Sequence, residues 1–129
     1  MADSTVQVFI PGPLQNPKNW HAWGLWKHRR YVRTWRERTA QYLLQASCAF
    51  PGRRWPWPAA LPKLVCFHVQ TARPWDDDGL AFGCVPIRDA LKDMQVVVDD
   101  GPSHGHHFCY TQAVAMPRGV KLTIIPRTP

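Results

Sequence analysis

The sequence predicts a small α/β (α+β) domain, a mixed β-sheet with two main helices, spanning residues 1–129 as one unit. Three observations predict it. Short β-rich runs stop at Pro or Gly. A long stretch, 26–46, carries neither Pro nor Gly and repeats apolar residues every three to four positions. A second helical stretch then separates two further β-rich regions, so the elements read β-α-β-α-(β)-β-β. The length of 129 residues allows one hydrophobic core but not two, and the 45% hydrophobic content argues against wholesale disorder.

Val6-Gln7-Val8-Phe9-Ile10 reads as a strand ended by Pro11-Gly12-Pro13. Residues 14–25 are rich in Asn, Pro and Trp and read as loop. In the helix over 26–46, Val32, Trp35, Thr39, Tyr42 and Ala46 form one face, with Trp35 and Tyr42 expected in the core. Residues 47–62 are a Pro- and Gly-rich loop carrying Arg53, Arg54, Trp55 and Trp57. Leu64–Gln70 is the second strand. A helix over roughly 79–93 follows, kinked or broken by Pro86, which removes an internal hydrogen bond. Met94–Val98 is an optional strand. Phe108–Met116 and Val120–Ile125 read as strands joined by Pro117-Arg118-Gly119, a hairpin.

Composition narrows the function classes. The net charge is +7, yet seven of nine acidic residues (Asp76, Asp77, Asp78, Asp89, Asp93, Asp99 and Asp100) fall within 25 positions. A basic body suits a polyanionic partner, and clustered short carboxylates suit a hard divalent cation. No apolar run approaches the ~20 residues that span a bilayer, so no membrane association is expected. Met1–Thr5 shows no basic region leading into an apolar run, so no signal peptide is expected and the location follows as cytoplasmic. Cys48, Cys66, Cys84 and Cys109 include no CxxC pair and read as free buried thiols. No nucleophile elbow, phosphate-binding glycine loop or dinucleotide fingerprint occurs, so no nucleotide cofactor is expected.

Asp76 and Asp78 stand where a strand gives way to a helix, and Asp99-Asp100 follow about one crossover later. If both pairs meet at one end of the sheet, their oxygens would hold Mg²⁺ or Mn²⁺, which would activate a water and stabilise charge on a phosphate. The plainer reading makes Asp78 a helix cap, Asp99-Asp100-Gly101 a turn, and Asp89 with Asp93 a solvated helix face. Between Lys18 and Arg38 lie seven basic side chains and one acid, Glu37, interleaved with Trp20, Trp23, Trp26, Tyr31 and Trp35. Lys27, Arg29, Arg30 and Arg33 are the candidate phosphate contacts there, and the tryptophans either stack on unpaired bases or pack at a seam between two copies. His104, His106 and His107 near Cys109 lack a second ligand pair at zinc spacing and read as a loop beside the site.

Residues 73–100, Arg-Pro-Trp-Asp-Asp-Asp-Gly-Leu-Ala through Ile-Arg-Asp-Ala-Leu to Val-Asp-Asp, resemble the signature of the RusA family of Holliday-junction resolvases. That family shows D-x-D-N-L, a helix carrying a Lys and a D-A-L-like segment, then a D-D pair. Phe9-Ile10-Pro11-Gly12-Pro13 before a basic helix and the closing Val120–Ile124 strand are also similar. The resemblance implies a homodimeric, Mg²⁺-dependent endonuclease that nicks paired strands of four-way junctions and other branched DNA. Many members of that family come from phages or prophages, and the resemblance implies a role in DNA recombination and repair in a bacterial or phage-infected cell. It implies Asp76, Asp78 and Asp100 as catalytic residues, and those three with Asp99 as metal ligands. The family's Asn falls on Gly79 and its catalytic Lys on Val85, which carries no charge. Arg88 and Lys92, further along that helix, are the substitutes for contact with DNA. The alternative is a catalytically impaired member that binds branched DNA without cutting it.

Overall fold

The computed structural model describes residues 4–15, 23–98 and 105–127, with the side chains of Asp77 and Asp78 outside that description. The elements in chain order are β1 (Val6–Pro11), α1 (Leu25–Ser47), β2 (Lys63–Thr71), α2 (Asp77–Gly83), α3 (Val85–Asp93), β3 (His107–Val114) and β4 (Gly119–Pro126). The four strands form one mixed sheet in the order β1-β4-β2-β3. β4 runs antiparallel to both β1 and β2, and β3 runs parallel to β2. This is a small α+β architecture with helices and a four-stranded mixed sheet.

Alternation along the strands decides which face is buried. In β2, Lys63, Val65, Phe67, Val69 and Thr71 are buried, while Leu64, Cys66, His68 and Gln70 are half-buried on the other face. Val6, Val8 and Ile10 of β1 and Val120, Leu122 and Ile124 of β4 join the buried face. Against that face lies an apolar layer from α1 and α3, with Trp35, Leu43, Ile87 and Leu91 all essentially without exposure. Truncating a side chain such as Trp35 to Ala in this layer would cost about 3–5 kcal/mol. Along α1 the buried positions are Trp35, Thr39, Leu43 and Ser47, a strict four-residue repeat, and Tyr42 is only half-buried.

Three sequence expectations are corrected. β3 and β4 are not a hairpin. β2 lies between them, because β3 enters the sheet at the end of a crossover and pairs parallel with β2, leaving β4 to fill the gap beside β1. The second helix is two helices. Pro86 sits in the first turn of α3, where its missing N–H is no loss, and the break falls at Cys84. Met94–Val98 forms no strand. Met94 ends α3, Gln95 turns left-handed at φ 58°, and the backbone N–H groups of Gln95 and Val96 bond back to the carbonyls of Lys92 and Leu91. That is a Schellman ending, with its usual apolar contact supplied by buried Val96 and Leu91. Val96 and Val97 are apolar because they close the helix onto the core, while Val98 is exposed.

Among the described residues, no helix is long and apolar enough to cross a membrane.

Candidate functional site

Asp76 is where the crossover begins. Its backbone is extended, and its Oδ1 accepts a 3.2 Å hydrogen bond from the Gly79 N–H, so it caps α2. It is exposed. The preceding Trp75 is anchored to β3 on both sides of its backbone. Its N–H donates to Gln112 Oε1 at 2.7 Å, and its carbonyl accepts from Gln112 Nε2 at 2.5 Å. The strand-to-helix connection that carries Asp76 is therefore clamped to the neighbouring strand.

Asp99 and Asp100, and the side chains of Asp77 and Asp78, lie outside the described residues, as do His104, Lys18 and Trp20. The segments that flank the two acid pairs are described, and they lie at different ends of the sheet. Asp76 follows Thr71, at the end where β2 pairs with Val114. Met94, five residues before Asp99, sits at the other end. Its carbonyl accepts from Trp55 Nε1 at 3.0 Å, Trp55 stacks on Trp57, and Lys63 Nζ lies 4.5 Å from the Trp57 ring. β2 spans about 26 Å between those ends, at ~3.3 Å per residue. Gln95, Val96 and Val97 bond back onto α3 and do not run along the sheet, so nothing among the described residues brings the two acid pairs together. Among the described residues, no three His, Cys, Asp or Glu side chains are grouped to hold a metal ion.

The predicted phosphate contacts on α1 are at the surface: Lys27, Arg29, Arg30 and Arg33 are all exposed. Lys27 Nζ lies 4.5 Å from the Trp23 ring and Arg29 5.9 Å from the ring of exposed Trp26. Lys27, Arg30 and Arg38 with Trp23, Tyr31 and Trp35 line a cleft of about 460 Å³. The Tyr31 hydroxyl accepts from the Gln15 N–H at 2.8 Å, and burial holds the phenol well above its usual 10. Arg38 reaches across to β1. It donates to the Pro11 carbonyl at 3.4 Å and occupies the space a Cβ on Gly12 would need, while Gly12 itself has a φ of 124°.

A second cleft, about 200 Å³, is lined by Thr71, Arg73, Trp75 and Arg118 and shares Pro13 and Gln15 with the first. The two clefts therefore adjoin. Cations from α1, from the β2–α2 connection and from the β3–β4 connection flank a path that ends at Trp75, the residue before Asp76. Arg38 belongs to the basic run of α1, but Arg73 and Arg118 were not singled out by sequence pattern. Those two are isolated along the chain, and only the sheet order brings them to one end.

Arg88 and Lys92 are differently placed. Arg88 is half-buried with its guanidinium 4.9 Å from the Phe108 ring, and Lys92 Nζ lies 3.5 Å from Asp89. Asp89 and Asp93 are not merely a solvated face, since both lie against Arg36 of α1. Val85, on the family's lysine position, is 37% exposed at the start of α3. His106 is buried and His107 exposed at the start of β3. The cysteines are free, but only Cys84 is fully buried; Cys48 is exposed, and Cys66 and Cys109 are half-buried.

No protein-family model matches the chain, and no curated protein matches it either.

Proposed function

We propose that the chain is a Mg²⁺-dependent, structure-selective DNA endonuclease acting on four-way junctions or other branched DNA as a homodimer. The observation that carries this reading is the pair of adjoining clefts. Lys27, Arg30, Arg38, Arg73 and Arg118 line a path that runs to Trp75, the residue before Asp76, which is the first acid of the RusA-like signature. Cations along such a path neutralise phosphates and release counterions, which supplies affinity without sequence preference. Exposed Trp26 offers an aromatic face for an unpaired base at a branch. Carboxylates at the head of a crossover helix suit a hard cation, and the RusA-like signature names Asp76 and Asp78 there, with Asp99 and Asp100, as the residues that would hold it. The bound ion would lower the pKa of a water and stabilise charge on the scissile phosphate. A two-fold dimer would present two such sites to two symmetric strands.

The second reading is a branched-DNA-binding protein that does not cut. Val85 favours it, because a valine holds no charge against a phosphate. Arg88 over Phe108 and Lys92 beside Asp89 are each engaged where they stand.

One assay separates the two. A labelled four-way junction is incubated with the protein in Mg²⁺ or in EDTA. Symmetric nicks that require the metal and vanish in Asp78→Asn support the nuclease. Tight junction binding without nicks supports the second reading, and Val85→Lys then tests whether the missing lysine is the reason. Equal binding to junction and linear duplex at a fixed salt concentration rejects both.

A further inference from the structure

Cys66 on β2 and Cys109 on β3 are register partners on neighbouring parallel strands. Adjacent strands lie about 4.8 Å apart, inside the Cα separation of about 4.4–6.8 Å that a disulfide spans. Both side chains are half-buried, and the Cys109 thiol donates to the Cys66 sulfur across 2.8 Å. Cys84 is fully buried elsewhere in the core, and Cys48 is exposed just past the end of α1.

We propose that Cys66 and Cys109 form a site of reversible oxidation whose reactant is a low-molecular-weight disulfide such as oxidised glutathione. The Cys66 thiolate attacks one sulfur of the small disulfide, forming a mixed disulfide and expelling one thiolate. Cys109 then loses its proton and attacks the Cys66 sulfur. The Cys66–Cys109 bond forms and the second small thiolate leaves, so two protein thiols are oxidised and one small disulfide is reduced to two thiols. Burial, and then the Cys66 contact, push the Cys109 thiol up to about 11, which makes Cys109 a poor first nucleophile and leaves it to resolve the mixed disulfide beside it.

The bond would staple edge strand β3 to β2 and close a loop containing the whole α2–α3 crossover. Gln112, three residues beyond Cys109, is the residue that clamps Trp75 beside Asp76. Oxidation therefore stiffens the strand pair that carries the acidic connection. This inference is independent of the nuclease reading.

The test treats the full chain with excess oxidised glutathione at pH 8, quenches with acid, alkylates with N-ethylmaleimide under denaturing conditions, and maps peptides by mass. The expected result is a Cys66–Cys109 linked peptide that dithiothreitol releases, with Tm raised by several degrees. In Cys109→Ser, Cys66 should instead keep a glutathione adduct and Tm should not rise. Recovery of both cysteines as maleimide adducts, in a sample whose exposed Cys48 has become glutathionylated, would overturn the proposal. So would a stable glutathione adduct on Cys66 in the wild-type chain, or a bond from either residue to another cysteine.

Discussion

Arg36 of α1 grips Asp93 of α3 with two hydrogen bonds, Nε to Oδ2 at 2.5 Å and Nη2 to Oδ1 at 2.7 Å. Asp89, one turn earlier, lies 4.0 Å from the same guanidinium. The planar fork fits the carboxylate as a bidentate pair and sets the two helices side by side on the sheet.

Both members of this pair are more than a third exposed, so solvent screens the interaction. Arg36→Ala or Asp93→Asn should each cost about 0.5–1 kcal/mol in denaturant unfolding. The hydrogen bonds from Arg36 hold the Asp93 carboxyl below its usual 3.8. A depressed folded pKa means that the unfolded chain takes up its proton first as pH falls. The contribution of the clamp is therefore complete above pH 3.8 and is lost as pH drops through the lower folded value. Comparing wild type with Asp93→Asn from pH 7 down to pH 2 should show the difference shrinking in that acid window. A difference that stays constant would contradict it.

The left-handed residue that ends α3 is a glutamine where most Schellman endings use glycine. Gln95→Gly removes the steric penalty of that backbone and should stabilise the fold by about 0.5–1 kcal/mol, after allowing for the extra freedom of glycine in the unfolded chain. Chemical denaturation should show a higher midpoint with an unchanged slope.

Lys63 is a buried cation in a cage of carbonyls. Its Nζ donates to Leu61, Pro58 and Ala59 at 2.8, 2.9 and 3.1 Å, and it lies over the Trp57 ring. Lys63→Met keeps the stem but leaves three carbonyls without their donor, at a cost of about 2 kcal/mol. Burial pulls the amine from 10.5 to about 8. Between those values the unfolded chain binds more protons, so the stability of the wild type relative to Lys63→Met should rise from pH 8 to pH 10.5. A flat difference across that window would show that the ammonium is not strained by its burial.

Arg30 lines both the cleft with Lys27 and Arg38 and a further cleft of about 220 Å³ with Trp26, Arg29 and Arg33. Arg30→Ala should weaken junction binding several-fold and lower the slope of log affinity against log salt by about one. Binding isotherms at three salt concentrations measure both. An unchanged slope would place the DNA elsewhere.

The sequence by itself determined most of the local structure. The alternation in β2, the uninterrupted run of α1 and the proline at the start of α3 each impose their element through short-range sterics and periodicity. The exposure of Lys27, Arg29, Arg30 and Arg33 was legible for the same reason, since four cations on one amphipathic helix have nowhere dry to go. What the tertiary structure alone decided are the relations between distant residues. β4 inserts between β1 and β2, because strand order depends on how the crossover closes and not on which strands are neighbours in sequence. That insertion keeps β3 and β4 apart and brings Arg118 beside Arg73. The parallel pairing of β2 with β3 sets Cys66 against Cys109, and the packing of α1 on α3 gives Arg36 its partners. None of these three pairings has a local signature, because each joins residues separated by more than forty positions through packing that only the complete fold specifies.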